Sequence, residues 1–298
     1  MHETIIQYQK AYNTIIERLK GNDSILAVMV FGSMVTGDLW DESDIDFFVI
    51  TDKALHEIKD IYTQEKNVPV HIKLMSHSKF TQLYDQDIKG GFIHRIFASS
   101  KLVFSKEIDI TSKYDSGRYY PDIDKERWNM VYLGNVLKSI GIAKKYLAND
   151  GIYTAYTSAV KAVDDFSSLY INYSGYMISK DALTMALNLN DEFKKCVDAL
   201  YFNNVNSSDA IQGIINYIQK FIDKNLRGIN EILINFMRRK DCFLSSDDFD
   251  QDPLFLSYDI RFEDILNKLW LKNLIKRESR DYKNEDGKVL FQENVYFI

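Results

Sequence analysis

Proline and cysteine are scarce in this chain, with three and two residues among 298. So few proline breaks leave long stretches that read as helix. Cys196 and Cys242 stand among helical residues with no histidine or cysteine at metal-ligand spacing, which leaves buried or reduced thiols rather than a disulfide framework or a zinc site. Long apolar runs are also missing, and none approaches a membrane span. The start, Met1-His2-Glu3-Thr4-Ile5-Ile6-Gln7, has no basic segment followed by an apolar core and a small-residue cleavage site, so a cytoplasmic location with no membrane partner is expected. Positive charge is not in excess either: the net charge of -6 argues against a protein that coats nucleic acid, while leaving room for a local basic patch. What is present, 46% hydrophobic and 27% charged residues, is the balance of a soluble globular protein, and the length allows two or three domains.

The most informative stretch begins at Ser24. An apolar run ends at Phe31, Gly32 and Ser33 follow, and after a polar loop Asp44-Ile45-Asp46 opens a second apolar run that ends at Ile50. Residues i and i+2 of a strand share a face, so Asp44 and Asp46 project together while Ile45, Phe47 and Val49 point the other way. Two carboxylates held that close repel, and a divalent cation of the magnesium type, shared with substrate phosphates, neutralises such a pair. A glycine after a strand lets a ligand approach the backbone, and the amides entering a short helix form a cradle for an anion, here a triphosphate.

Phe31-Gly32-Ser33, Gly37 and Ser43-Asp44-Ile45-Asp46, in that order and flanked by two strands, resemble the signature of the polymerase-beta-like nucleotidyltransferases. The resemblance implies that Asp44 and Asp46 bind the Mg2+ that carries a nucleoside triphosphate, ATP by expectation, and that Gly32 and Ser33 hold its phosphates. It also implies transfer of a nucleoside monophosphate to a hydroxyl acceptor with release of pyrophosphate.

The rest of the chain extends this reading. Residues 2–20 carry apolar positions at helical spacing, and Gly21-Asn22-Asp23 ends them. Residues 54–62 read as a short helix, residues 68–75 as a strand with Val70, Ile72 and Leu74 on one face and His71, Lys73 and Met75 on the other, residues 78–88 as a helix and residues 101–105 as a strand. The expected fold is therefore α+β, with a small mixed sheet and helices forming a nucleotidyltransferase core over 1–110. A linker is expected over 111–124, since Gly117 and Pro121 interrupt a stretch with neither period. Residues 125–245 read as a helical bundle, and residues 246–298 as a helix followed by a hairpin around Asn284-Glu285-Asp286-Gly287. The bundle resembles the HEPN type that accompanies minimal nucleotidyltransferases, and the tail resembles a winged helix; the whole chain looks like a bacterial or archaeal fusion of the three. Eight basic and seven acidic residues in 261–298 make a nearly neutral module, so DNA binding is not expected.

Two departures bear on function. HEPN ribonucleases carry an arginine followed four to six residues later by a histidine, yet His2, His56, His71, His77 and His94 all lie upstream of the bundle. The bundle is then left to shape the acceptor pocket or a homo-oligomer interface. The family also places a third carboxylate on the strand corresponding to 68–75, and none is there. His71 takes that place either as ligand or general base, or as a strand histidine bonded to a neighbour, and both readings stand. Lys73 either neutralises a phosphate, repels the metal or is a solvated surface lysine. His94 and Arg95, after Gly90-Gly91, form a second cluster in which Arg95 either reaches a phosphate or is an exposed arginine that follows a helix cap. Two functions follow from these residues: a nucleotidyltransferase using Asp44, Asp46 and His71, or a degenerate member of the fold that serves as nucleotide sensor, antitoxin-like protein or regulatory binding module.

Overall fold

The computed structural model describes residues 2–87, 99–117, 122–178, 181–202, 207–284 and 286–298. They form two compact units, residues 1–121 and 122–298. The architecture is α+β, with the sheet in the first unit and helices dominating the second.

In the first unit a five-stranded sheet runs in the order β3-β4-β2-β1-β5. The strands are β1 (Ile25–Phe31), β2 (Ile45–Thr51), β3 (Lys59–Glu65), β4 (Val68–Ser76) and β5 (Lys101–Ser105). Among the described residues of this sheet only the β2–β4 pair is parallel. Strict alternation sends Ile45, Phe47 and Val49 of β2, with Val28 and Val30 of β1 and Val68 and Val70 of β4, into a core with Tyr8, Ala11 and Ile15 of helix α1 (His2–Lys20). The opposite face buries Met29, Phe48, Ile50 and Met75 under Phe80 of α3 (His77–Asp87) and Ile110 and Tyr114 of α4 (Ile108–Ser116). Between β1 and β2 stands one helical turn, α2 (Ser33–Thr36).

Two segments differ from expectation. Residues 59–65, whose first four were expected to end a helix, form the edge strand β3, exposed at every residue up to Gln64; a strand open to water on both faces carries no apolar alternation to announce it. It is joined to β4 by Lys66 and Asn67, both left-handed at φ 52° and 63°, the two-residue turn that matches strand twist. Helix α1 braces this turn, with Gln7 Nε2 donating to the Lys66 carbonyl at 3.1 Å and Arg18 paired with Glu65 at 2.7 Å. The expected linker is replaced in its first half by α4, because Ile110 and Tyr114, one turn apart, bury against the sheet.

The second unit is built on α5 (Asp122–Leu147) and α6 (Ile152–Tyr173), followed by α7 (Ala182–Leu189), α8 (Asp191–Phe202), α9 (Ser207–Ile229), α10 (Glu231–Lys240), α11 (Ser246–Asp250) and α12 (Phe262–Leu271). Buried Ala155, Ala159 and Ala162 allow close helix approach along α6. On α9, Ile211, Ile214, Ile215, Ile218, Ile222 and Leu226 recur at helical period and face the same core. A hairpin closes the chain: β6 (Lys276–Lys283) and β7 (Val289–Phe297). Phe262, Ile265, Leu266, Leu269 and Tyr296 of the winged-helix-like segment expected over 246–298 enter the bundle's own core, and Leu244 bridges Tyr296, so that residues 122–298 form one compact unit. Among the described residues no helix is long and apolar enough to cross a membrane.

Candidate active site

Gly32 closes β1 at φ 71° and ψ -151°, a backbone region that L side chains rarely adopt. A Cβ added there would lie 2.4 Å from Asp46 Oδ2, so the carboxylate is seated directly against the glycine backbone. Ser33 opens α2, is 8% exposed, and donates from Oγ to the Asp44 carbonyl at 3.3 Å. The turn is thereby tied to the residue that precedes β2. Tyr8, 2% exposed, donates from its hydroxyl to the carbonyls of Ser43 and, at 3.2 Å, Trp40. Burial, followed by the negative charges of Asp41 and Asp44, pushes this phenol above its ordinary range, so it remains a donor.

Asp46 is the second residue of β2, paired with Phe31 on one side and His71 on the other. The parallel β2–β4 register puts His71 Nδ1 3.0 Å from Asp46 Oδ1. Donor atoms of Asp44, Asp46 and His71 all lie within 4.8 Å of one another, a group capable of holding a metal ion. A magnesium ion bonded at about 2.1 Å spans donors up to about 4.2 Å apart, so donors no more than 4.8 Å apart close on one cation with a contraction of at most about 0.6 Å. The donor set of two carboxylates and one imidazole thus fits a divalent metal.

The opposite edge of His71 is also engaged. Nε2 lies 2.8 Å from Asp60 Oδ1, and Lys73 Nζ donates to the same oxygen at 2.6 Å. The Lys73 hydrogen bond, then that of His71, holds the Asp60 carboxyl below the usual carboxylate range. Tyr62, directly across from His71 in the β3–β4 ladder, stacks on the imidazole with centroids 4.5 Å apart and planes 3° from parallel. Beside these groups runs an open groove of about 500 Å³, lined by Asp44, Tyr62, Thr63, Gln64, Pro69 and Val70.

Residues 13–109 match the family model of the polymerase beta nucleotidyltransferases. They constitute a nucleotidyltransferase domain of that type. The fold of the whole chain is similar to that of a nucleotidyltransferase-like protein from Exiguobacterium sibiricum 255-15, known from its crystal structure: TM-score 0.66 at 13% identity, over 97% of this chain and 99% of that one. No curated protein matches the chain.

Of the residues singled out from sequence, the nucleotidyltransferase domain brings together Gly32, Ser33, Asp44, Asp46 and His71. Arg95 and His94 lie outside the described residues. Lys73 is an ion-pair partner of Asp60 and only 24% exposed in its side chain. Asp60 and Tyr62 were missed; the signal available was the alternation of Asp60 and Tyr62 ahead of Lys66-Asn67, readable only once that pair is recognised as a hairpin turn.

Proposed function

We propose that the nucleotidyltransferase domain transfers a nucleoside monophosphate from a nucleoside triphosphate, ATP by preference, to a hydroxyl acceptor. The observation that carries this reading is the convergence of Asp44, Asp46 and His71 beside Gly32. Asp44, Asp46 and His71 would hold Mg2+, which supplies charge neutralisation for the triphosphate when bound. Gly32 and Ser33 present the backbone amides of the β1–α2 turn to the phosphates, and Arg95 is assigned to them as a second contact. The acceptor oxygen bonds to the α-phosphorus, the bond to the bridging oxygen of the β-phosphate breaks, and pyrophosphate leaves. The acceptor proton passes to the Asp46 carboxylate. Positioning and electrostatics carry most of such catalysis.

The helical unit is assigned a HEPN-like bundle with a winged-helix-like end, serving acceptor recognition or homo-oligomer contact in a cytoplasmic protein. The absence of any histidine after His94 removes ribonuclease chemistry of the HEPN type from it. The test is incubation with triphosphates labelled at the α-phosphate, together with RNA, protein and small-molecule acceptor pools. Label on an acceptor with stoichiometric pyrophosphate supports transfer. Stable triphosphate binding with neither product supports the regulatory reading instead, and full transfer by an Asp44→Asn, Asp46→Asn double variant refutes the metal assignment.

A further inference from the structure

The imidazole of His71 is gripped on three sides, and only one of its partners belongs to the Asp44–Asp46–His71 group. We propose that Asp60 is a positioning residue: by accepting the Nε2 proton it fixes His71 in the tautomer and ring orientation that turn the Nδ1 lone pair toward the metal. This rests on the metal reading above.

A carboxylate can only accept, so an imidazole nitrogen 2.8 Å from Asp60 Oδ1 must carry hydrogen. A neutral ring has one N–H, and Nδ1 also faces an acceptor, the Asp46 carboxylate at 3.0 Å; with a cation held between Nδ1 and Asp46 the two become neighbouring ligands, and the one N–H stays on Nε2 with Asp60 as its acceptor. Rotating the ring by half a turn would put carbon against both carboxylates and forfeit both contacts. Tyr62 opposes tilting, since the two rings lie 3° from parallel. Lys73, on the same oxygen at 2.6 Å, offsets the charge that Asp60 brings toward the site. Asp60 itself is no metal ligand here, because the imidazole stands between it and Asp46. A carboxylate behind a metal-bound histidine raises its basicity as a ligand and holds its aim. The chain thus supplies from a neighbouring strand what the missing third carboxylate does not.

The experiment uses the full chain and Mn2+ alone, with no nucleotide, counted by electron paramagnetic resonance, and reads the His71 tautomer from imidazole 15N shifts in the Mg2+-loaded protein, assigned against His71→Gln. Asp60→Ala is expected to weaken Mn2+ binding by about ten- to a hundredfold and to let both tautomers appear. Asp60→Asn, whose amide oxygen accepts the same hydrogen bond, is expected to stay near wild type. Wild-type affinity in Asp60→Ala alongside lost binding in Asp46→Asn overturns the positioning role and leaves the metal site standing. Wild-type Mn2+ affinity in Asp46→Asn overturns the reading beneath it. A proton on Nδ1 in the Mg2+-loaded wild type refutes the proposal without any variant.

Discussion

Replacing Gly32 with alanine stresses the site in two separable ways. The backbone, at φ 71° and ψ -151°, lies in a region nearly reserved for glycine, which costs an L residue about 1–3 kcal/mol. The new methyl would also stand 2.4 Å from Asp46 Oδ2 and 3.3 Å from Cγ, but 3.6 Å from Cβ, so the clash is with the carboxylate and not with the rest of the side chain. Ordinary carbon contacts begin near 3.5 Å, and the carboxylate must swing by roughly 1 Å, adding about 1–3 kcal/mol of overpacking and leaving its 3.0 Å contact with His71. Truncating Asp46 to alanine removes the clash and keeps the backbone strain. Gly32→Ala should therefore cost about 2–6 kcal/mol in the wild-type background but about 1–3 kcal/mol beside Asp46→Ala. Native-state hydrogen exchange of the β1 and β2 amides reads both costs, and Mn2+ titration of the single variant should show a large loss of affinity. Equal costs in the two backgrounds, or unchanged Mn2+ binding in Gly32→Ala, would refute the reasoning.

Tyr8→Phe removes the donor to the Ser43 and Trp40 carbonyls and should destabilise the first unit by about 1–3 kcal/mol, with faster hydrogen exchange in the loop ahead of Asp44. In the second unit, burial and then the Asp124 carboxylate push the Tyr258 phenol well above its ordinary value. A folded value above the unfolded one of about 10 means that this stabilisation is whole below about pH 10 and is lost as pH rises beyond it. The cost of Tyr258→Phe in urea titrations should thus be larger at about pH 8 than at about pH 11, and equal costs would count against the assignment. An imidazole in the donor set should favour Mn2+ over Mg2+ relative to an all-oxygen site, and competition titrations of His71→Asp should show that preference narrowed.

Asp44 and Asp46 could be read as neighbours because strand period alone puts i and i+2 on one face, and Ile45, Phe47 and Val49 do enter the opposite core. The same rule placed His71 and Lys73 away from Val70, Ile72 and Leu74. It could not say which strand lies beside β2, and the approach of His71 to Asp46 depends on that pairing. Asp60 and Tyr62 were illegible for a related reason: β3 is solvated, so its polar sequence fits a helix, a loop or an edge strand equally well. Residues 108–116 did carry a signal, in Ile110 and Tyr114 at helical spacing, which the breakers Gly117 and Pro121 outweighed. The tail's helix and hairpin were visible as elements. Their union with the bundle was not, since sharing a core is a property of docking rather than of period.

The turn at Lys66 and Asn67 has a consequence for how this site can change over generations. Strand β4 is fixed by its parallel pairing with β2 and by buried Val68 and Val70, whereas β3 hangs on the open side of β4. One residue inserted into the turn would leave His71 against Asp46 yet slide β3 by a step, carrying Asp60 and Tyr62 to the other face. The backing of the imidazole is therefore encoded in loop length as much as in side chains. A descendant could lose or exchange that backing through a single codon gained or lost, with every residue of the Gly32–Asp46 motif untouched.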